Sequence, residues 1–78
     1  MSELHEDHEL DCKGLNCPLP ILKTKKAIDG MAGGQILKMI ATDPGSINDV
    51  QAFTKRTKHE LMESISDNGE YIFYIRKS

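Results

Sequence analysis

Pro18 and Pro20 stand either side of a single leucine, directly after Cys17. Regular structure has one good place for such a pair, the first turn of a helix, where the amides have no intrahelical partner to lose. With Cys17 as N-cap, Pro18 takes the first helical position and Pro20 the third. The amide left in that turn is that of Leu19, at the second position, where an N-cap side chain ordinarily accepts a hydrogen bond. Ile21, Thr24, Ile28 and Met31 then recur at helical spacing, and Gly30 is the expected stop.

The other segments arrange themselves around that helix. Glu9 to Lys13 alternates, with Leu10 and Cys12 on one face, and reads as a strand that Gly14 breaks. QILKMIAT, following Gly33 and Gly34, is β-rich and apolar on both faces, as a central strand would be. A turn at Asp43-Pro44-Gly45 leads to a second helix with Ile47, Val50, Phe53, Thr57 and Leu61 on one stripe. Its start has two readings: Ser46 with Asp49 resembles a capping box, and Asp43 could be the cap with Pro44 at the first position. Leu61 to Ser66 turns strand-like, Asn68-Gly69 is a strong hairpin signal, and Tyr71 to Ile75 is a dense β run. The order β-α-β-α-β-β predicts a two-layer α/β sandwich, a four-stranded mixed sheet with two helices. Each strand–helix–strand unit is expected to give a parallel pair, with the last hairpin adding an antiparallel strand.

Seventy-eight residues allow one core. The expected division is a mobile acidic arm over residues 1–8 and a single domain over 9–78. Hydrophobic residues make up 38% and charged residues 28%, the balance of a soluble protein. No apolar run approaches the roughly 20 residues of a membrane span. MSELHEDHEL lacks the basic-then-apolar order of a signal peptide, so a cytoplasmic location is expected. The first eleven residues carry five acids and no Lys or Arg, which leaves residues 12–78 with ten basic and seven acidic side chains. That surplus suits an acidic partner surface but is far from the dense basic stripe of a nucleic-acid binder. Two cysteines are too few for a disulfide scaffold, and in a reducing compartment such a pair is more often reactive or metal-binding.

A thiolate at Cys17 would face the positive end of the helix dipole and the Leu19 amide, with both prolines stiffening the turn. The expected consequence is an exposed thiol more acidic than the free value of about 8.5, which describes a nucleophile. The competing reading is a small buried residue, the usual fate of an unpaired cysteine. Spacing alone does not decide between them.

The run Gly-Leu-Asn-Cys-Pro-Leu-Pro, Gly14 to Pro20, resembles the C-P-x-P signature of the TusA/SirA family of small sulfur carriers. Asp11 ahead of Gly14-Leu15, ATDP at Ala41–Pro44, HEL at His59–Leu61 and IRK at Ile75–Lys77 extend the likeness over residues 10 to 77. The resemblance implies the same β-α-β-α-β-β fold. It implies a persulfide on Cys17, with Pro18, Leu19 and Pro20 positioning the sulfur. It further implies a donor, a cysteine desulfurase or a rhodanese-like protein, and an acceptor protein with a reactive cysteine. Family destinations are tRNA thiolation and cytoplasmic sulfur oxidation. No cofactor and no metal is implied, nor direct membrane contact; nucleic acid would be involved only indirectly, and a monomer is expected.

Cys12 lies where such proteins often have a small unreactive residue; it reads either as a packed strand residue or as a second thiol resolving Cys17. His5, His8, Cys12 and Cys17 are four conceivable zinc ligands, at a spacing that matches no standard zinc module. His59 reads as exposed near a helix end. Lys23, Lys25 and Lys26, and separately Lys55, Arg56 and Lys58, read as solvated helix faces or as docking surfaces for acidic partners. Two rival functions remain: a non-catalytic module binding RNA or protein, and a redox regulator using Cys12 and Cys17.

Overall fold

The computed structural model describes residues 6–16 and 19–78. The elements follow in the order β1 (His8–Cys12), α1 (Leu19–Asp29), β2 (Ile36–Ala41), α2 (Ser46–Thr57), β3 (Glu60–Asp67) and β4 (Glu70–Arg76). This is the expected succession, folded as two helices against one face of a four-stranded mixed sheet. No helix among the described residues is long and apolar enough to cross a membrane.

The strands lie side by side as β1-β2-β4-β3. β1 and β2 pair in parallel, as the first strand–helix–strand unit predicts. The second unit keeps the expected parallel direction, since β2 and β3 both run antiparallel to β4, but its two strands are not neighbours. β3 does not pair with β2, because β4 enters between them and runs antiparallel to both. The hairpin and the side chains explain this. Asn68 and Gly69 both have positive φ, 51° and 82°, so a tight two-residue turn lays β4 directly beside β3. EYIFYIR can fill a central position, whereas ELMESISD is polar enough for an edge, and a register shift at Met62 between Leu61 and Glu63 further marks β3 as one.

Alternation then sorts the sheet. Cys12, Leu37, Met39, Ala41, Phe73 and Ile75 are buried against the helices, where they meet Ile28, Met31, Val50 and Phe53. Leu61, legible on both a helical and a strand pattern, packs on this core from β3. The hydroxyls of Thr24 and Thr54 are buried without cost to hydrogen bonding: each donates to the carbonyl four residues earlier, Pro20 at 2.8 Å and Val50 at 2.9 Å.

Two ends differ from expectation, and a third is reinforced from a distance. Residues 1–5 of the predicted arm lie outside the described residues, and the sheet's hydrogen bonding already includes Asp7. Its amide donates to the Ile36 carbonyl and its carboxylate accepts the Ile36 N–H, both at 2.8 Å. α2 forms no capping box: Gly45 is the N-cap, with no side-chain cap bond, and the Ser46 hydroxyl is buried without a hydrogen-bond partner. Asp43 organises that turn, its carboxylate accepting the Gly45 N–H at 3.2 Å and its carbonyl the Ser46 N–H at 2.9 Å. α1 stops at Asp29, directly ahead of Gly30 as expected, although Gly30 is not left-handed. The Lys77 ammonium reaches the Met31 carbonyl at 2.6 Å and that of Asp29 at 3.5 Å, placing a cation where the helix dipole favours one.

Candidate functional site at the junction of β1 and α1

β1 ends at Cys12, and a short connection carries the chain up to α1. Gly14, at φ 82°, turns it with a backbone that few side chains tolerate. The turn is tied on three sides: Lys13 N–H to the Asp11 carboxylate at 2.9 Å, Gly14 N–H to the Thr42 hydroxyl at 2.9 Å, and Leu15 N–H to the Cys12 carbonyl at 3.2 Å. Cys17 and Pro18 lie outside the described residues, so the site is defined by what flanks them. The Asn16 carbonyl and the Leu19 amide, on either side of the pair, are joined at 2.9 Å.

That bond corrects one expectation. The Leu19 amide is not held open for the Cys17 sulfur; the Asn16 carbonyl takes it. Among the described residues α1 begins at Leu19, and Pro20 follows it, buried, with its ring in the first turn where no amide is missed; the expected place of Pro18 ahead of them lies outside the described residues. The remaining support for a thiolate at this end of α1 is the helix dipole and the lysines of the next two turns.

Beneath the first turn sits Cys12, with no exposed surface. Its thiol points at the Pro20 carbonyl, Sγ to O 3.9 Å, the same oxygen that receives the Thr24 hydroxyl. Burial pushes the Cys12 thiol above its ordinary value, with the Lys23 charge opposing and Asp11 adding to the shift. Of the two readings of Cys12, the packed strand residue is the one the structure adopts. A resolving thiol must be reached and ionised, and this one is enclosed and held protonated. The same enclosure removes Cys12 from the zinc set; among the described residues no group of His, Cys, Asp and Glu is arranged to hold a metal, and His5 lies outside them.

The outward face of α1 carries Leu19, Leu22, Lys23 and Lys26, at the spacing of one helical face and opposite the buried Pro20, Thr24 and Ile28. Leu19 and Leu22 are 47% and 55% exposed, the large hydrophobics most open to solvent among the described residues. Leu22 belongs to no stripe or motif singled out from the sequence, although its place three residues after Leu19 and off the core stripe is a usable signal. Lys25 lies to one side, its ammonium 3.9 Å from the Asp29 carboxylate. The second basic group is elsewhere. β1 and β2 are parallel, so both helices start at the same edge of the sheet and run back from it. Lys55, Arg56 and Lys58 therefore lie toward the opposite edge, on the order of 15 Å along α2 from its start. His59 is not simply exposed: its ring packs on Phe53, centroids 5.8 Å apart, and its Nδ1 accepts the Ser78 N–H at 3.1 Å.

Comparison with known proteins agrees with this arrangement. The family model described as sulfurtransferase TusA matches residues 8–77. A sulfur carrier protein TusA of Allochromatium vinosum is 57% identical over 72 residues, covering 92% of this chain and 95% of that one. A putative sulfur carrier protein of Bacillus subtilis, YrkI, is 43% identical over 74 residues, 95% of this chain and 99% of that one. In fold, the chain is similar to the crystal structure of a SirA-like protein from Desulfitobacterium hafniense, with a TM-score of 0.77 over 88% of this chain and 95% of that one at 22% identity. A match running from the first residue of β1 to the residue after β4 takes in every element that frames the site: this chain belongs to the TusA sulfurtransferase family.

Proposed function

We propose that this protein is a sulfur carrier that accepts sulfane sulfur as a persulfide on Cys17 and passes it to a cysteine of a partner protein. The relatives named as sulfur carriers support the activity. The observation that carries the assignment to a residue is the state of the other thiol. The chain has two cysteines, and Cys12 is enclosed in the core with its ionisation suppressed. Persulfide exchange needs an accessible thiolate, so it falls to Cys17.

The exchange balances without an outside oxidant. The Cys17 thiolate attacks the outer sulfur of a donor persulfide; the donor's S–S bond breaks as the new one forms, and the donor sulfur leaves as thiolate. In the second step an acceptor thiolate attacks the outer sulfur of Cys17–S–SH, and Cys17 leaves as thiolate. Pro18, Leu19 and Pro20 act as positioning residues that set the start of α1. A cysteine desulfurase or a rhodanese-like protein is the fitting donor, and the acceptor decides whether sulfur goes to tRNA thiolation or to sulfur oxidation. Partners dock on the outward face of α1, where Leu19 and Leu22 offer apolar surface and Lys23 and Lys26 offer charge within about two turns of the start of the helix. Lys55, Arg56 and Lys58 contribute to encounter at longer range.

Intact mass tests the reading. Incubated with a cysteine desulfurase plus cysteine, or a rhodanese plus thiosulfate, the protein gains one sulfur atom that a thiol reductant removes. Cys17→Ser abolishes the gain, because a hydroxyl is neither nucleophile nor leaving group here at neutral pH, and Cys12→Ala retains it. A wild-type mass unchanged by both donors sinks the proposal. Loss of uptake in Cys12→Ala with its fold intact would point back to a regulator that uses both thiols.

A further inference from the structure

The face of the sheet turned away from the helices has a composition that the sulfur chemistry leaves unused. Strand register places Ile40, Ile72 and Ile65 in one row across β2, β4 and β3, all partly exposed. Tyr74 lies in the next row, beside Lys38. Three neighbouring isoleucines span two interstrand gaps, roughly 10 Å, which is the width of an α-helix. Acids surround them. Asp11 ends the isoleucine row on β1, Glu9 and Glu63 end the adjacent row, and Glu70 pairs with Asp67 on the other side. Counting Glu60, the outward positions of the sheet hold six carboxylates against two cations, Lys38 and Arg76, and Arg76 is paired with Glu60. The helix layer has the opposite sign: five cations against Asp29 and Asp49.

We infer that this outer sheet face is a second docking surface, and that its occupant is a cationic amphipathic helix of a partner protein. The apolar row would bury the partner's apolar stripe, and the ring of carboxylates would pair with Lys or Arg flanking that stripe. The same ring repels anionic surfaces, nucleic acid and acidic membranes among them. It also disfavours a second copy of this chain laid face to face, since acids would meet acids. Because α1 lies on the other side of the sheet, a partner held here leaves the start of α1 uncovered, and the carrier can stay tethered while it exchanges sulfur.

The probe is a synthetic 18-residue peptide with leucine on one helical face and lysine on both flanks, titrated into isotope-labelled protein and followed by amide chemical shifts. Shifts should concentrate on β2, β3 and β4 at the outward positions and leave α1 and α2 unmoved. Ile72→Ser and, separately, the double change Glu63→Lys with Glu70→Lys should each weaken binding about tenfold or more. A peptide with glutamate in place of lysine should not bind, and a lysine peptide without leucines should bind at least tenfold more weakly. The peptide-saturated protein should still load sulfur from a small persulfide such as glutathione persulfide. Three results overturn the inference: shifts on the helix layer or scattered over the surface, variants that bind as wild type, or sedimentation showing concentration-dependent self-association that Ile72→Ser abolishes.

Discussion

Cys12→Ala is the substitution with the sharpest consequence, because the thiol it removes is enclosed and its titration is displaced. Deleting the sulfur leaves a small void beneath Pro20 and takes away a long, weak S–H to carbonyl contact. The loss falls between that of removing one methylene and that of truncating a leucine, about 1–2 kcal/mol. A 78-residue domain is stable by roughly 4–12 kcal/mol, so the variant folds. With a urea slope near 1 kcal/mol/M for so small a chain, the midpoint should fall by about 1–2 M at pH 7. The second consequence is in the pH dependence. The folded thiol titrates above its ordinary value, while in the unfolded chain it ionises normally. Between those two values the unfolded state binds fewer protons, so wild-type stability falls as pH rises, by at most about 1.4 kcal/mol per pH unit from this group. The contribution is fully present below the unfolded value and lost on the way up to the folded one. Urea unfolding by circular dichroism at pH 7 and pH 10 should therefore show the gap between wild type and Cys12→Ala narrowing at the higher pH. A gap that stays constant or widens refutes the enclosure of Cys12, as would alkylation of Cys12 in the native protein as fast as Cys17 at pH 7.

Other outcomes follow from the same geometry. Pro20→Ala keeps the carbonyl that receives Thr24 but gives up a buried ring and adds an amide to the first turn; single-turnover sulfur transfer should slow severalfold while the fold survives, and unchanged transfer would make the proline purely structural. Lys77→Met removes the cation from the end of α1 and should cost about 0.5–1 kcal/mol in urea unfolding, an effect that shrinks with added salt. Gly69→Ala forces a side chain into φ 82° and should destabilise the β3–β4 hairpin by about 1 kcal/mol, without altering thiol alkylation.

What could be read in the chain beforehand was what local chemistry controls. Alternation placed Leu10 and Cys12 on the buried face of β1, three-and-four spacing found Thr24, Ile28, Val50 and Phe53, and Asn68-Gly69 announced its turn. Where distant segments decide, the reading stopped short. The position of β4 depends on which of two strands is apolar enough for the centre, a comparison across the chain that a parallel-unit rule does not make. Lys77 caps a helix that ended 48 residues earlier, and no window of sequence holds both. The partner of the Leu19 amide, the Asn16 carbonyl, is illegible in the sequence for a different reason. Two acceptors could reach that amide, the Cys17 side chain and the Asn16 carbonyl, and the residue types are the same in either case.

The insertion of β4 also governs how the chain acquires its shape. Ile36 pairs with Arg76 and Ala41 with Tyr71, so the middle of the sheet is stitched from segments some 30 to 40 residues apart, and closing such loops precedes any gain from the pairing. A nascent chain that has made β1, α1 and β2 holds an open, apolar strand edge that nothing upstream can cover. Assembly has to wait for the seven residues of β4. A stop codon within β4 would consequently strip out the keystone of the sheet, and loss of β3's outer edge would be the milder defect.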